Sequence, residues 1–238
     1  MIQQIQHLPF FVNDPISSCL PMPEQGNANR TYLVITAQKK HYLLRHFQIT
    51  LDRGMEFCIQ TRVARATLAP MPRWLDTERG LMLSDFVHGV HHHRLTPRQL
   101  RQIAQRLKKL HALKIRAKRN TFRENFSFRD SKVLQAFSRL KRRPMHYALG
   151  HNDLHQKNIL FTKKGVQFID WEYARYSDIY FDLITIIIEF KLKKREQKIF
   201  LRYYFSPKSA DPQKLNAFAI IYHRLWEIWF KKLEKNLL

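Results

Sequence analysis

Two short apolar runs, Ile159 to Phe161 and Val166 to Ile169, stand either side of a Lys163-Lys164-Gly165 turn, and this pattern constrains the chain more than any other stretch. Runs of that length around a glycine-containing turn predict an antiparallel hairpin. A hairpin brings its open ends together, and here those ends carry Asn158 and Asp170. Asp153 lies five residues before Asn158, and His151 two before that, so the skeleton reads His-x-Asp-x-x-x-x-Asn, hairpin, Asp. A lone His-x-Asp is an ordinary loop sequence. Two carboxylates and a carboxamide arranged in this order around a hairpin form a more specific constellation.

That layout suits phosphoryl transfer from a nucleotide. The reaction needs a carboxylate to orient the attacking hydroxyl and take its proton, and oxygen ligands that hold magnesium against the phosphates. Asp153 fits the first task, and Asn158 with Asp170 fits the second. The expected catalytic residues are therefore Asp153, Asn158 and Asp170, with Asn158 and Asp170 as the Mg2+ ligands and ATP as the phosphoryl donor.

Upstream, Leu8 to Pro23 carries Pro9, Pro15, Pro21 and Pro23 and reads as an irregular lead-in. Thr31 to Thr36 and His41 to Phe47 read as two strands. In the second, Leu43, Arg45 and Phe47 share one face, and an arginine between apolar neighbours needs a partner, because an unpaired buried charge is costly. Asp52 to Ala66 reads as a helix with Asp52 as N-cap, and its Glu56 is the candidate partner for Arg45. Gly80 to Phe86 reads as a buried strand. His88 and His91 to His93 read as loop histidines rather than a metal site. Thr96-Pro97-Arg98-Gln99 starts a helix whose Leu100, Ile103, Leu107 and Leu110 recur on one face. Ser131 to Leu140 is a second amphipathic segment, and Ser177-Asp178 reads as a helix cap. Ile184 to Ile188 is β-branched and locally favours a strand. Near the end, Leu215, Phe218, Tyr222, Leu225 and Trp229 form one helical stripe with Trp226 beside it.

The strings His-Asn-Asp-Leu-His-Gln-Lys-Asn-Ile-Leu-Phe and Ile-Asp-Trp-Glu-Tyr-Ala (151–161 and 169–174) resemble the superfamily of choline kinases, thiamine kinases and aminoglycoside phosphotransferases, most closely its choline/ethanolamine and thiamine kinase branch. The resemblance implies an α+β, bilobal protein-kinase-like fold: a small β-rich N-lobe with one main helix and a larger, mostly helical C-lobe. It implies an N-lobe over residues 1–83, an interlobe linker over 84–90 and a C-lobe over 91–238. It gives Arg45 a place against the nucleotide phosphates with Glu56 holding it, and puts the backbone of Ser84 to Phe86 beside the adenine. Gly26, Asn29 and Tyr32 echo the family's phosphate loop with a single glycine. Asp182 is implied to brace the catalytic loop, and Ile184 to Ile188 to be a buried helix. Trp171, Glu172, Tyr222, Trp226 and Trp229 are the implied substrate contacts, since a ring face attracts an organic cation.

The expected activity is thus an ATP- and Mg2+-dependent kinase acting on the hydroxyl of a small cationic alcohol, with choline, ethanolamine or thiamine as substrate. A kinase of aminoglycosides or lipopolysaccharide sugars is the alternative on the same residues. Charge supplies an alternative of another class. Lys and Arg number 42 against 19 acidic residues, a net +23, which attracts polyanions. A catalytically inactive kinase-like nucleic-acid-binding protein is consistent with that surplus, as is peripheral contact with an anionic membrane. No zinc-finger spacing or RNA-binding strand signature supports the nucleic-acid reading. Cys19 and Cys58 have no CxxC spacing, the first residues lack a basic segment followed by an apolar run, and Leu183 to Phe190 is too short to span a bilayer. The expected location is the cytoplasm.

Overall fold

The computed structural model describes residues 2–25, 29–115, 117–120, 122–126 and 130–236. Gly26 of the phosphate-loop echo lies outside them. The chain divides into two compact units, Met1–Gly89 and Val90–Leu238. The cut falls inside the 84–90 segment expected to link two lobes.

The first unit is built on a five-stranded antiparallel sheet. Its elements are α1 (Ile2–Ile5), α2 (Pro9–Val12), β1 (Ile16–Pro21), β2 (Asn29–Thr36), β3 (His41–Phe47), α3 (Arg53–Arg65), β4 (Pro72–Asp76) and β5 (Leu81–Asp85), with strand order β1-β2-β3-β5-β4. The proline-rich lead-in is more ordered than its composition suggests. Pro15 and Pro21 bound β1, an edge strand, where a missing N–H is tolerated. Ile5, Leu8 and Phe11 bury themselves with Val34, Leu44, Leu81 and Leu83. Leu44 and Arg45 are successive residues of β3 and point to opposite faces, Leu44 into that apolar cluster and Arg45 towards α3. Helix α3 begins where its cap residue dictates, with Asp52 accepting a hydrogen bond from Met55 N at 3.1 Å.

The second unit contains α4 (Pro97–His111), α5 (Ser131–Lys141), β6 (Tyr147–Gly150), β7 (Ile159–Thr162), β8 (Gly165–Phe168), β9 (Arg175–Asp178), α6 (Tyr180–Glu189), α7 (Lys194–Phe205) and α8 (Pro212–Asn236). Thr96 and Gln99 close a reciprocal capping box at the start of α4, and Leu100, Ile103, Leu107 and Leu110 are fully buried along it. Strands β7 and β8 pair from Ile159 opposite Phe168 to Thr162 opposite Gly165, the hairpin read from the sequence. Strand β6 pairs with β9. Ser177 and Asp178 therefore belong to a strand rather than to a helix cap, although Asp178 Oδ1 still accepts a hydrogen bond from Tyr180 N at 3.0 Å. The isoleucine run forms α6, against its local β preference, because the segment is buried nearly all round. Lys214 in the first turn of α8 is also buried, and its ammonium lies 2.5 Å from Asp178 and 2.9 Å from Pro144 O. Phe218 and Tyr222 are core residues of α8, whereas Trp229 on the same stripe is 39% exposed. Among the described residues no helix is long and apolar enough to cross a membrane.

Candidate active site

The segment between β6 and β7 is a loop whose shape is set by hydrogen bonds to its backbone. Asp182, in the first turn of α6 and fully buried, receives His151 N at 2.8 Å on Oδ2 and Asn152 N at 2.8 Å on Oδ1. His111, the last residue of α4, lies 3.1 Å from Asp182 Oδ2 through Nε2, and its other nitrogen lies 2.6 Å from the Tyr204 hydroxyl of α7. Burial alone pushes the Asp182 carboxyl up. The hydrogen bonds from His111 and from the loop amide outweigh it and hold the group below its ordinary value.

Asn152 sits in the left-handed region, with φ at 66°, a conformation that asparagine tolerates better than most residues. Its side-chain amide donates to Tyr173 O at 3.1 Å, tying the loop to the chain beyond β8. His151 is buried and donates from Nε2 to Ile169 O at 2.9 Å. The two ends of the constellation are thereby fixed before Asp153 is reached. Asn152 was not singled out from the sequence, and the signal was a polar residue of high turn propensity directly before the candidate base.

Asn158 donates from Nδ2 to Asp153 O at 2.8 Å and to Asp153 Oδ2 at 2.9 Å. With its nitrogen so committed, the amide oxygen Oδ1 is the atom available to a cation. Ile169 N donates to Asn158 O at 3.0 Å, extending the β7–β8 ladder by one step and delivering Asp170 beside Asn158. Asp170 also has positive φ, at 65°, a strained conformation for a non-glycine residue of the kind found at functional sites. One carboxylate and one amide oxygen suit magnesium, which takes few protein ligands and completes its octahedron with water and phosphate oxygens. The described residues hold no cluster of three or more His, Cys, Asp or Glu that would serve a metal needing more protein ligands.

Asp153 keeps 27% of its side-chain surface exposed. Desolvation, then the negative charges of Asp170, Glu172 and Glu189, raise its pKa to about 7, against the stabilising Asn158 hydrogen bond. His155 caps the following 3-10 turn by accepting Lys157 N at 3.2 Å on Nδ1. Burial and the Lys157 charge lower its pKa to about 4, so it is neutral near pH 7 and its proton resides on Nε2. That atom is 3.7 Å from Asp153 Oδ2. His91 and His93 reach the same region, His91 Nδ1 to Ile159 O at 2.9 Å and His93 Nδ1 to Gln156 Oε1 at 2.6 Å.

Of the expected substrate contacts, Glu172 is buried and its charge is felt at Asp153. Tyr222 donates its hydroxyl to Glu189 Oε1 at 2.7 Å. Burial raises the pKa of that phenol, with further contributions from Glu189 and Asp153. Trp226 lies 6.3 Å from the Tyr222 ring, and Trp229 stacks edge-on against Trp226 at 5.2 Å. Trp171 is placed otherwise than expected. Its indole is fully buried, packs 4.6 Å from the His151 ring and donates Nε1 to Phe168 O at 3.0 Å, so it supports the loop and presents no ring face to a ligand. Glu189 was missed from the sequence because a glutamate at the end of an isoleucine run carries no motif of its own.

In the first unit Arg45 is bound to Glu56, and Arg53 joins the same carboxylate at 2.7 Å. Arg53 was not foreseen. It stands three residues from Glu56 on α3, within reach on one helix face, and its guanidinium rests 3.9 Å over the Phe47 ring. Burial pushes Glu56 up, but the two arginines together hold its carboxyl below the usual range. Changing Glu56 to Gln leaves two buried guanidinium groups without their carboxylate. The expected loss is about 3 kcal/mol of stability, read as a lower midpoint in urea unfolding. Ser84 is buried in β5. The amides of Asp85 and Phe86 donate to Met71 O at 2.8 Å and His41 O at 3.2 Å. At those two positions the expectation of amides turned to a base is not met, because the sheet uses them.

The sequence pattern of the phosphotransferase enzyme family (APH) matches residues 22–218, and the chain belongs to that family. A LicA homologue of Metamycoplasma hominis is 36% identical over 74 residues, 30% of this chain and 30% of that protein. The thiamine kinase of Salmonella newport is 32% identical over 87 residues, 37% of this chain and 29% of that protein. The matched stretch thus spans about a third of these curated relatives. The crystal structure of choline kinase LicA from Streptococcus pneumoniae superposes with a TM-score of 0.80 at 21% identity, covering 93% of this chain and 86% of that one. That likeness shows the fold, and it is the protein-kinase-like α+β fold expected from the sequence.

Proposed function

We propose that this protein transfers the γ-phosphoryl group of ATP to the hydroxyl of a small cationic alcohol, with choline, ethanolamine or thiamine as acceptor. The observation that carries the reading is the charge of the site. In a chain of net +23, Asp153 is surrounded by the negative charges of Asp170, Glu172 and Glu189, and Tyr222 with Trp226 stands against Glu189. Such a charge distribution repels an anionic acceptor and attracts a cation that can also rest on a ring face.

Asp153 orients the acceptor hydroxyl and takes its proton, a task for which a raised pKa is suited. Asn158 holds Asp153 in place through Nδ2 and, with Asp170, supplies the oxygens for magnesium. Bound magnesium offsets the charge that accumulates on the phosphate oxygens during transfer. Arg45, held by Glu56, which also binds Arg53, meets the nucleotide phosphates, and residues 84–90 link a nucleotide-binding N-lobe to the C-lobe that carries catalysis.

ATP consumption with magnesium, measured across choline, ethanolamine, thiamine, aminoglycosides and lipopolysaccharide core sugars, tests the reading. A cationic alcohol is expected to be the best acceptor. Changing Glu189 to Gln should raise KM for it by roughly tenfold or more with little change in kcat, the mark of lost ground-state binding. A best acceptor among the aminoglycosides or core sugars rejects the substrate assignment. No consumption with any acceptor, together with salt-sensitive binding to DNA or RNA, rejects the catalytic one.

A further inference from the structure

From Phe86 to Arg123 the chain runs 38 residues with eleven Lys or Arg and no Asp or Glu, so none of these charges has an acidic neighbour within its own segment. Helix α4 lies in the middle of this run. Its outward stripe is Arg98, Arg101, Gln105, Lys108 and Lys109, all exposed. Solvated helix faces usually interleave the two signs, because like charges three or four residues apart cost a few tenths of a kcal/mol per pair. Here Arg98 with Arg101, and Arg106 with Lys109, repeat the unfavourable spacing.

The same face holds a groove of about 330 Å³ lined by Gln102, Gln105, Arg106, Lys109, Gly165 and Val166. Its far wall is the β7–β8 turn, which adds the exposed Lys163 and Lys164. The groove is a built feature. Arg106 Nη2 donates to Lys164 O at 2.7 Å. Gly165 has φ at 103°, and a Cβ there would lie 2.2 Å from that guanidinium nitrogen, so the turn is shaped around the arginine. Arg106 acts as the strut between the walls, Lys109 supplies charge and Gln102 and Gln105 neutral donors in the lining, and Lys163 and Lys164 are the exposed residues that precede Gly165 in the turn.

We propose that this groove, at the turn end of the hairpin away from Asn158 and Asp170, binds a phosphate-bearing ligand with two or more phosphate charges. The concavity is of the size that takes a small molecule or a headgroup, and its lining offers two cations, Arg106 and Lys109, and two side-chain amides, with no carboxylate. A bound polyphosphate also relieves the like-charge repulsion along α4.

Calorimetric titration with sodium tripolyphosphate at about 150 mM salt tests the site. Two charge-reversed variants are compared, Lys109→Glu/Lys163→Glu/Lys164→Glu at the groove and Lys194→Glu/Arg195→Glu/Lys198→Glu on α7. All six residues are exposed, and neither variant touches the proposed nucleotide or magnesium residues, so binding at the ATP site persists equally in both. The groove variant should weaken one binding phase by roughly tenfold or more, with the α7 variant within about twofold of wild type and kinase turnover unchanged in both. Equal loss in the two variants, or loss in neither, overturns the proposal. Sedimentation with phosphatidylcholine vesicles, with and without phosphatidylinositol bisphosphate, whose headgroup carries several phosphate charges, separates the sources. Retention on the anionic vesicles that disappears in the groove variant identifies a lipid headgroup, and absence of retention identifies a free polyphosphate.

Discussion

Asp153→Asn is expected to reduce phosphoryl transfer by roughly a thousandfold or more, in the range found for removal of a positioned base, while nucleotide affinity stays close to wild type. The substitution keeps the size of the side chain, so the Asn158 hydrogen bond to Asp153 O at 2.8 Å and the loop geometry are retained. What is lost is the proposed proton acceptor. Removing a charge that lies against Asp170, Glu172 and Glu189 also relieves repulsion, and the variant should unfold at an equal or higher urea concentration than wild type. Lower turnover with undiminished stability separates a chemical role from a structural one. Turnover retained within tenfold would reject the assignment of Asp153.

The second large effect falls on Asp182. Changing it to Ala removes the acceptor for His151 N and Asn152 N and takes the partner of His111 Nε2 away, leaving buried donors without acceptors. Breaking a buried pair in this way costs about 3–5 kcal/mol, and displacement of the left-handed Asn152 by as little as 1 Å lowers kcat by roughly a hundredfold. Urea unfolding and steady-state kinetics measure both. The pH dependence has a definite sign. The folded-state pKa of Asp182 lies below its ordinary value of 3.8, so its contribution is complete above that value and drains away as pH falls through the folded one. The stability gap between wild type and the variant should therefore be constant at neutral pH and narrow only in acid. A gap that widened on acidification would mean that the carboxylate is not held by these donors.

The convergence of Asp153, Asn158 and Asp170 was legible because their order follows local structure. The His-x-Asp-x-x-x-x-Asn loop and the apolar hairpin are periodic or fixed in spacing, and the residues they present follow from strand geometry alone. The Arg45–Glu56 pair could be inferred because an arginine on a half-buried strand face demands a carboxylate. Two kinds of feature stayed hidden. Glu189, Arg53 and the link from His111 to Tyr204 depend on which elements pack together, and that is a tertiary property with no mark in composition. Trp171 was misjudged because an aromatic ring gives the same letter whether it greets a ligand or props up a loop; only its complete burial beside His151 decides. The lead-in strand β1 was missed because its prolines sit at the ends of an edge strand, where they do no harm.

The hairpin has a consequence for the order in which the site can assemble. Asn158 and Asp170 are twelve positions apart and meet through one continuation of a backbone ladder, whereas the bonds from Asp182 to the loop bridge about thirty positions and the one from His111 bridges 71. Closing a short loop forfeits less chain freedom than closing a long one. The Asn158 and Asp170 ends can therefore come together from neighbouring chain alone, and the distant helices serve afterwards as the clamp that stops the Asp153 loop from wandering.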